Sequence, residues 1–150
     1  MQIDLMDRSK YFRAMVILIK RDLTISPKEK DFFLRIGQIL QFSADFCQET
    51  IHNLLKNPYI DEKPPVFSNI NMAKIFLKDG IKIAFADKNL HQKEYNWLQK
   101  VARANHISDE WLFGQLHDFL NDPQKKKSKT LEIEKYYQKY QEISKSKQEK

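Results

Sequence analysis

Two short acidic stretches, DLTISPKE at residues 22–29 and DKNLHQKE at 87–94, carry the side chains best suited to chemistry in this chain. Each sets an aspartate ahead of a glutamate at the same spacing, Asp22 with Glu29 and Asp87 with Glu94. Carboxylates brought together at the corner of a helix–loop–helix hairpin are oxygen ligands for a hard divalent cation, provided carbonyls or water complete the shell. Neither stretch is an EF-hand. Asp87, Asn89 and His91 imitate its first three ligand positions, but the turn glycine is missing and the glutamate arrives too early. A structural role competes with the cation. Glu29 is the third residue after Ser26, with Pro27 between them, which is the pattern of a capping box at a helix start. Glu94 stands in the same place after His91. Capping accounts for the glutamates, whereas Asp22 and Asp87 fall near the end of a preceding helix. There a negative charge opposes the macrodipole by roughly 0.3–1 kcal/mol. Loop N–H groups or a bound cation must offset that cost.

Little else in the chain could catalyse a reaction. The three glycines, Gly37, Gly80 and Gly114, are scattered, so no phosphate-cradling loop exists, and no zinc-protease or nucleophile-elbow pattern occurs. The one cysteine, Cys47, reads as a small buried thiol, and His52 and His117 as polar features near helix ends. The expectation is a protein without enzymatic activity.

The elements that position these residues are helical. Few glycines and prolines, abundant Lys, Glu, Gln and Leu, and 41% hydrophobic residues favour an all-α fold with a substantial core. Helical spacing of apolar residues predicts a first helix from Ser9 (Phe12, Met15, Val16, Ile19, Leu23), a second from Ser26, and a third from Ser43 with Phe46, Ile51, Leu54 and Leu55 inward. A proline-rich connector, NPYIDEKPPVFSN, separates these from helices over about 71–86, 91–104 and 108–120. Gly80 inside the fourth helix marks a close helix contact. The two halves align without gaps at an offset of sixty-five residues, which pairs Ser43 with Ser108, His52 with His117 and Pro58 with Pro123. The reading is a duplicated three-helix unit, with repeat one over about 9–57, a connector at 58–69 and repeat two over about 70–123.

The charge lies mostly beyond Pro123. Residues 124–150 hold nine lysines and four glutamates, a net +5 of the chain's +6. Lys125, Lys126, Lys127 and Lys129 read as a solvated basic linker, and 131–145 as an amphipathic helix with Ile133, Tyr136, Tyr137, Tyr140 and Ile143 on one side. Such a tail could attract nucleic acid or an anionic membrane surface. The absence of arginine in it and the near-neutral body argue against nucleic acid. No apolar run approaches the ~20 residues a membrane span needs, and the N-terminus lacks a signal-peptide pattern.

The duplicated pattern of apolar helix, acid, aliphatic, S/T-x-x-E and apolar helix resembles the tellurite-resistance TerB-like family, including the N-terminal region of a DnaJ-like cochaperone. IAFADKNLHQKEYNWLQKVARANHIS (83–108) carries the better match and MVILIKRDLTISPKEKDFFLRIGQILQFS (15–43) the more diverged one. Leu23 and Lys88 stand where the family has glycine after the aspartate. The resemblance covers about residues 10–121. It implies a compact bundle of about seven helices, two three-helix units plus a C-terminal helix, in bacterial cytoplasm. It further implies a protein partner in a stress response of the tellurite type, and a divalent cation at Asp22, Glu29, Asp87 and Glu94.

Overall fold

The computed structural model describes residues 3–20, 27–56, 63–85 and 91–139, and all regular structure among them is helical. The helices are α1 (Leu5–Lys20), α2 (Pro27–Ile39), α3 (Ala44–Lys56), α4 (Ile70–Ala84), α5 (Gln92–Ala104), α6 (Asp109–Asn121) and the short α7 (Pro123–Lys127). A last helical run over 132–139 is α8. No helix among the described residues is long and apolar enough to cross a membrane.

Helix α1 starts at Leu5, one turn before the expected Ser9. Asp4 supplies the cap, its Oδ1 accepting the Met6 N–H at 3.0 Å, and Ser9 falls inside the helix. From Tyr11 to Ile19 every side chain except Arg13 is buried. A helix that is apolar on all sides must be surrounded, and α1 packs on α2, α3, α4 and α5. The second central helix, α4, buries Phe76, Leu77, Ile81 and Ile83. Tyr11 meets Phe76 edge-on, ring centroids 5.6 Å apart. Trp97 of α5 fills the space beside them, and its indole N–H reaches the Ala14 carbonyl at 3.1 Å. Burying an indole without stranding its donor is what makes that position tenable.

Corresponding elements start and stop sixty-five residues apart in α2 and α5, and again in α3 and α6. Their terminators match as well. Gln41 and His106 both take positive φ, 66° and 59°. Each helix closes by a Schellman arrangement: Phe42 N–H bonds Gly37 C=O at 2.9 Å, and Ile107 N–H bonds Ala102 C=O at 2.8 Å. Ser43 and Ser108 cap α3 and α6, each hydroxyl accepting the N–H three residues on at 3.1 Å.

Several expectations need correcting. Phe46 was assigned inward but is 45% exposed, and Cys47 takes the core position on α3. The linker at 124–130 is not irregular throughout. Asp122 accepts the N–H groups of Gln124 and Lys125, and with Pro123 at the first position this starts α7. On α8 Ile133 is buried and Tyr137 half-buried, while Tyr136 faces solvent. Tyr140 and Ile143 lie outside the described residues, as does Leu23; the side chain of Leu55 is likewise not described.

Gly80 does mark a close approach, since a Cβ there would sit 2.7 Å from Leu98 Cδ2 on α5. Gly37 is tighter. A Cβ would lie 2.2 Å from Cys47 Sγ and 3.6 Å from Cys47 Cβ, so only the thiol stands in the way. Gly37→Ala should therefore destabilise by about 1–3 kcal/mol through overpacking. Adding Cys47→Ala removes the obstructing atom, and the double variant should recover most of the loss. Urea melts of all four members of that cycle measure the coupling.

Candidate functional site

The most unusual side chain in the interior is Asp79, which sits on the buried face of α4 and is 1% exposed. A carboxylate at that depth is costly unless each oxygen has donors. Here Oδ2 accepts the Tyr11 hydroxyl at 2.5 Å and the Ile133 N–H at 3.1 Å, while Oδ1 accepts the Glu132 N–H at 2.6 Å. Two of these donors are the first free amides of α8, which no carbonyl of the helix reaches and of which a cap side chain ordinarily offers an acceptor to the second. Leu131 stands at that cap position and has no side-chain acceptor. Asp79 supplies the missing oxygen from another helix, and Glu134 completes the box by accepting the Leu131 N–H at 3.2 Å.

Two cations fasten the same segment. Arg35 of α2 donates through Nε to Glu134 Oε1 at 2.6 Å, and its Nη2 also reaches that oxygen and the Lys129 carbonyl. Lys82 Nζ donates to the Thr130 carbonyl at 2.7 Å. Leu131 and Ile133 are fully buried beneath these contacts. The C-terminal segment is thus clamped onto its own domain by side chains from α2 and α4.

Burial pushes the Asp79 carboxyl up to about 7, against the opposing pull of the Tyr11 hydroxyl and the two backbone donors. The same burial, with the Asp79 charge beside it, holds the Tyr11 phenol well above its ordinary value.

The carboxylates singled out in the sequence are not assembled into a site by the described residues. Asp22 and Asp87 lie outside them, and Glu29 lies on α2 with its side chain likewise undescribed. Glu94 is buried, and its Oε1 accepts the His91 N–H at 3.2 Å, the cap role expected of it. No group of three or more His, Cys, Asp or Glu side chains among the described residues is placed to hold a metal ion. Lys125, Lys126, Lys127 and Lys129 are exposed, the first three on α7. His52 and His117 are exposed too.

The residues that sequence reasoning missed are Asp79, Tyr11, Lys82 and Arg35. A signal for Asp79 was present: it stands three residues after Phe76 and four before Ile83, on the stripe that faces the core. A lone acid on such a stripe demands a partner.

What the fold and the clamp define is an all-helical bundle whose own C-terminal segment completes its surface. No protein-family model, no curated protein and no solved structure matches the chain.

The raised Asp79 carboxyl fixes the sign of a pH effect. Between about pH 4 and 7 the folded protein holds a proton that the unfolded chain has released, so this group's contribution falls as pH rises through that window. Below it both states are protonated, and above it both are ionised. Asp79→Asn should flatten the stability profile between those limits in urea melts taken at several pH values. Asp79→Ala strands the Tyr11 hydroxyl and two α8 amides, and should cost about 3 kcal/mol or more at every pH.

Proposed function

We propose that this chain is a non-catalytic, cytoplasmic TerB-like module that docks a protein partner in a stress response of the tellurite type, and that its six long helices descend from a duplicated three-helix unit. The shared boundaries and terminators of α2 with α5 and of α3 with α6 support the duplication.

The observation that carries the docking role is the outer face of α6. Its inward side chains are Leu112 and Phe119. Phe113 and Leu120, two turns apart on the same helix, are 61% and 39% exposed, with half-buried Leu116 between them. Next to this stripe, a Cβ at Gly114 would meet nothing within 4 Å among the described residues. Apolar residues at i, i+3 and i+7 on an exposed helix face form the anchor pattern of helix-in-groove recognition. They are also the kind of contiguous exposed surface that marks a protein contact.

Phe113→Lys combined with Leu120→Lys tests the reading, because both positions are exposed and the fold should survive. A partner that co-purifies with the native chain from its host should bind the double variant at least about thirtyfold more weakly, the loss expected of hot-spot anchors. Equal retention by a variant that melts normally removes α6 from the reading.

The cation in this proposal rests on Asp22, Glu29, Asp87 and Glu94, the last of which already accepts the His91 N–H through Oε1. Thermal melts with Ca²⁺, Mg²⁺, Mn²⁺ and Zn²⁺ examine it. A cation at a hundredfold its dissociation constant adds ~2.7 kcal/mol, several degrees in midpoint. That rise should disappear in Asp22→Asn with Asp87→Asn. No rise with any of the four ions takes the cation out of the proposal.

A further inference from the structure

A half-open cleft of about 290 Å³ lies where α4, the end of α6, α7 and the start of α8 meet. Lysines from three of these helices converge on it: Lys78 and Lys82 from α4, Lys125 from α7 and Lys135 from α8. Three carboxylates, Asp79, Asp122 and Glu132, border the same cleft, so its lysines outnumber its acids by one. Among the described residues only Lys135 has one within ion-pair reach, Glu132 at 3.4 Å. Lys82 bonds a neutral carbonyl, that of Thr130, and is half-buried.

The oxygens of these acids keep their charge but are largely occupied by neutral donors rather than by the lysines. Both Asp79 oxygens are engaged by Tyr11 and the α8 amides. Asp122 Oδ1 accepts the first amides of α7. What remains is a concave, partly desolvated surface with several ammonium donors, and Ile81 and Phe119 form an apolar wall beside them. The half-buried Lys82 ammonium, which has Asp79 and Glu132 as counter-charges, and the exposed Lys78 and Lys125 beside it offer several donors to an anion that reaches the cleft.

We propose that this cleft is a binding site for a small soluble phosphate monoester. A dianionic phosphoryl group offers several strong acceptor oxygens to the lysines. The apolar wall and a volume near the lower limit of ligand pockets leave room for a compact organic moiety and little more. The site is independent of the α6 docking face and of the acidic loops. Because α4, α7 and α8 all contribute lysines, an occupant bridges the body of the domain and the C-terminal segment.

The test is isothermal titration of the full chain with ribose 5-phosphate and with AMP at low salt, with ribose as the uncharged control. Saturable binding at about millimolar affinity or tighter is expected for the phosphate esters and none for ribose. Lys78→Gln with Lys125→Gln removes two exposed ammonium groups that make no described ion pair, and should weaken binding at least about tenfold without lowering the melting temperature. Lys82→Gln should weaken it as well. Lys100→Gln, on the exposed side of α5, should leave it unchanged. The proposal is overturned if neither ester saturates by about 10 mM, or if binding is indifferent to the Lys78 and Lys125 substitutions.

Discussion

Everything at the C-terminal side of this molecule depends on one buried carboxylate finding three donors. Asp79 has been taken out of water on the face of a central helix, where an ionised acid without partners would cost more than a small domain can spare. Tyr11 from α1 supplies one donor and the start of α8 supplies two. The consequence runs both ways. α8 is held where it is because α4 carries the acid, and α4 can carry the acid because α8 covers it. Arg35 and Lys82 extend the same arrangement outward to Glu134 and to the carbonyls of Lys129 and Thr130.

The rest of the core is built from two helices buried nearly all round, α1 and α4. Their neighbours are tied to them by polar contacts at depth as well as by packing. Asn105 accepts the Phe67 N–H at 2.9 Å and donates to the carbonyls of Pro65 and Val101, both at 2.8 Å. Asp7 accepts the Ser68 N–H at 3.0 Å and bonds its hydroxyl. In this way the described part of the proline-rich connector, which has no helix or strand of its own, satisfies its backbone through side chains of the helices it passes. The position sixty-five residues before Asp79 is Ala14, whose carbonyl receives the Trp97 indole. One central helix spends this site on a backbone acceptor for a neighbour, and the other spends it on a carboxylate.

Much of the helical order was legible in the sequence because caps and terminators are local. Ser43 and Ser108 each accept an N–H within their own first turn, where the sequence already places two helix starts. The clamp was not legible, for an equally physical reason. The cap of α8 comes from a residue more than fifty positions away, and a window of local sequence shows only a leucine where a serine or aspartate ought to be. The α1 boundary differs because Asp4 caps the helix one turn earlier, accepting the Met6 N–H, even though Leu5 and Met6 of that added turn stay exposed. Helical spacing puts Phe46 inward with Ile51, Leu54 and Leu55, whereas the core position against Gly37 is taken by the smaller Cys47. Of the four acidic residues read as a pair of sites, the structure describes the side chain of Glu94 alone, and its role is the local one.

The borrowed cap also sets a condition. Helix α8 begins after Leu131, which offers no side-chain acceptor as a cap. Its nucleating amides are held only by a side chain from a helix that must itself be packed against α1. The start of α8 is therefore conditional on a correctly assembled interior. Its formation certifies that assembly, and a chain broken before residue 131 would leave that interior with an uncovered acid at its centre.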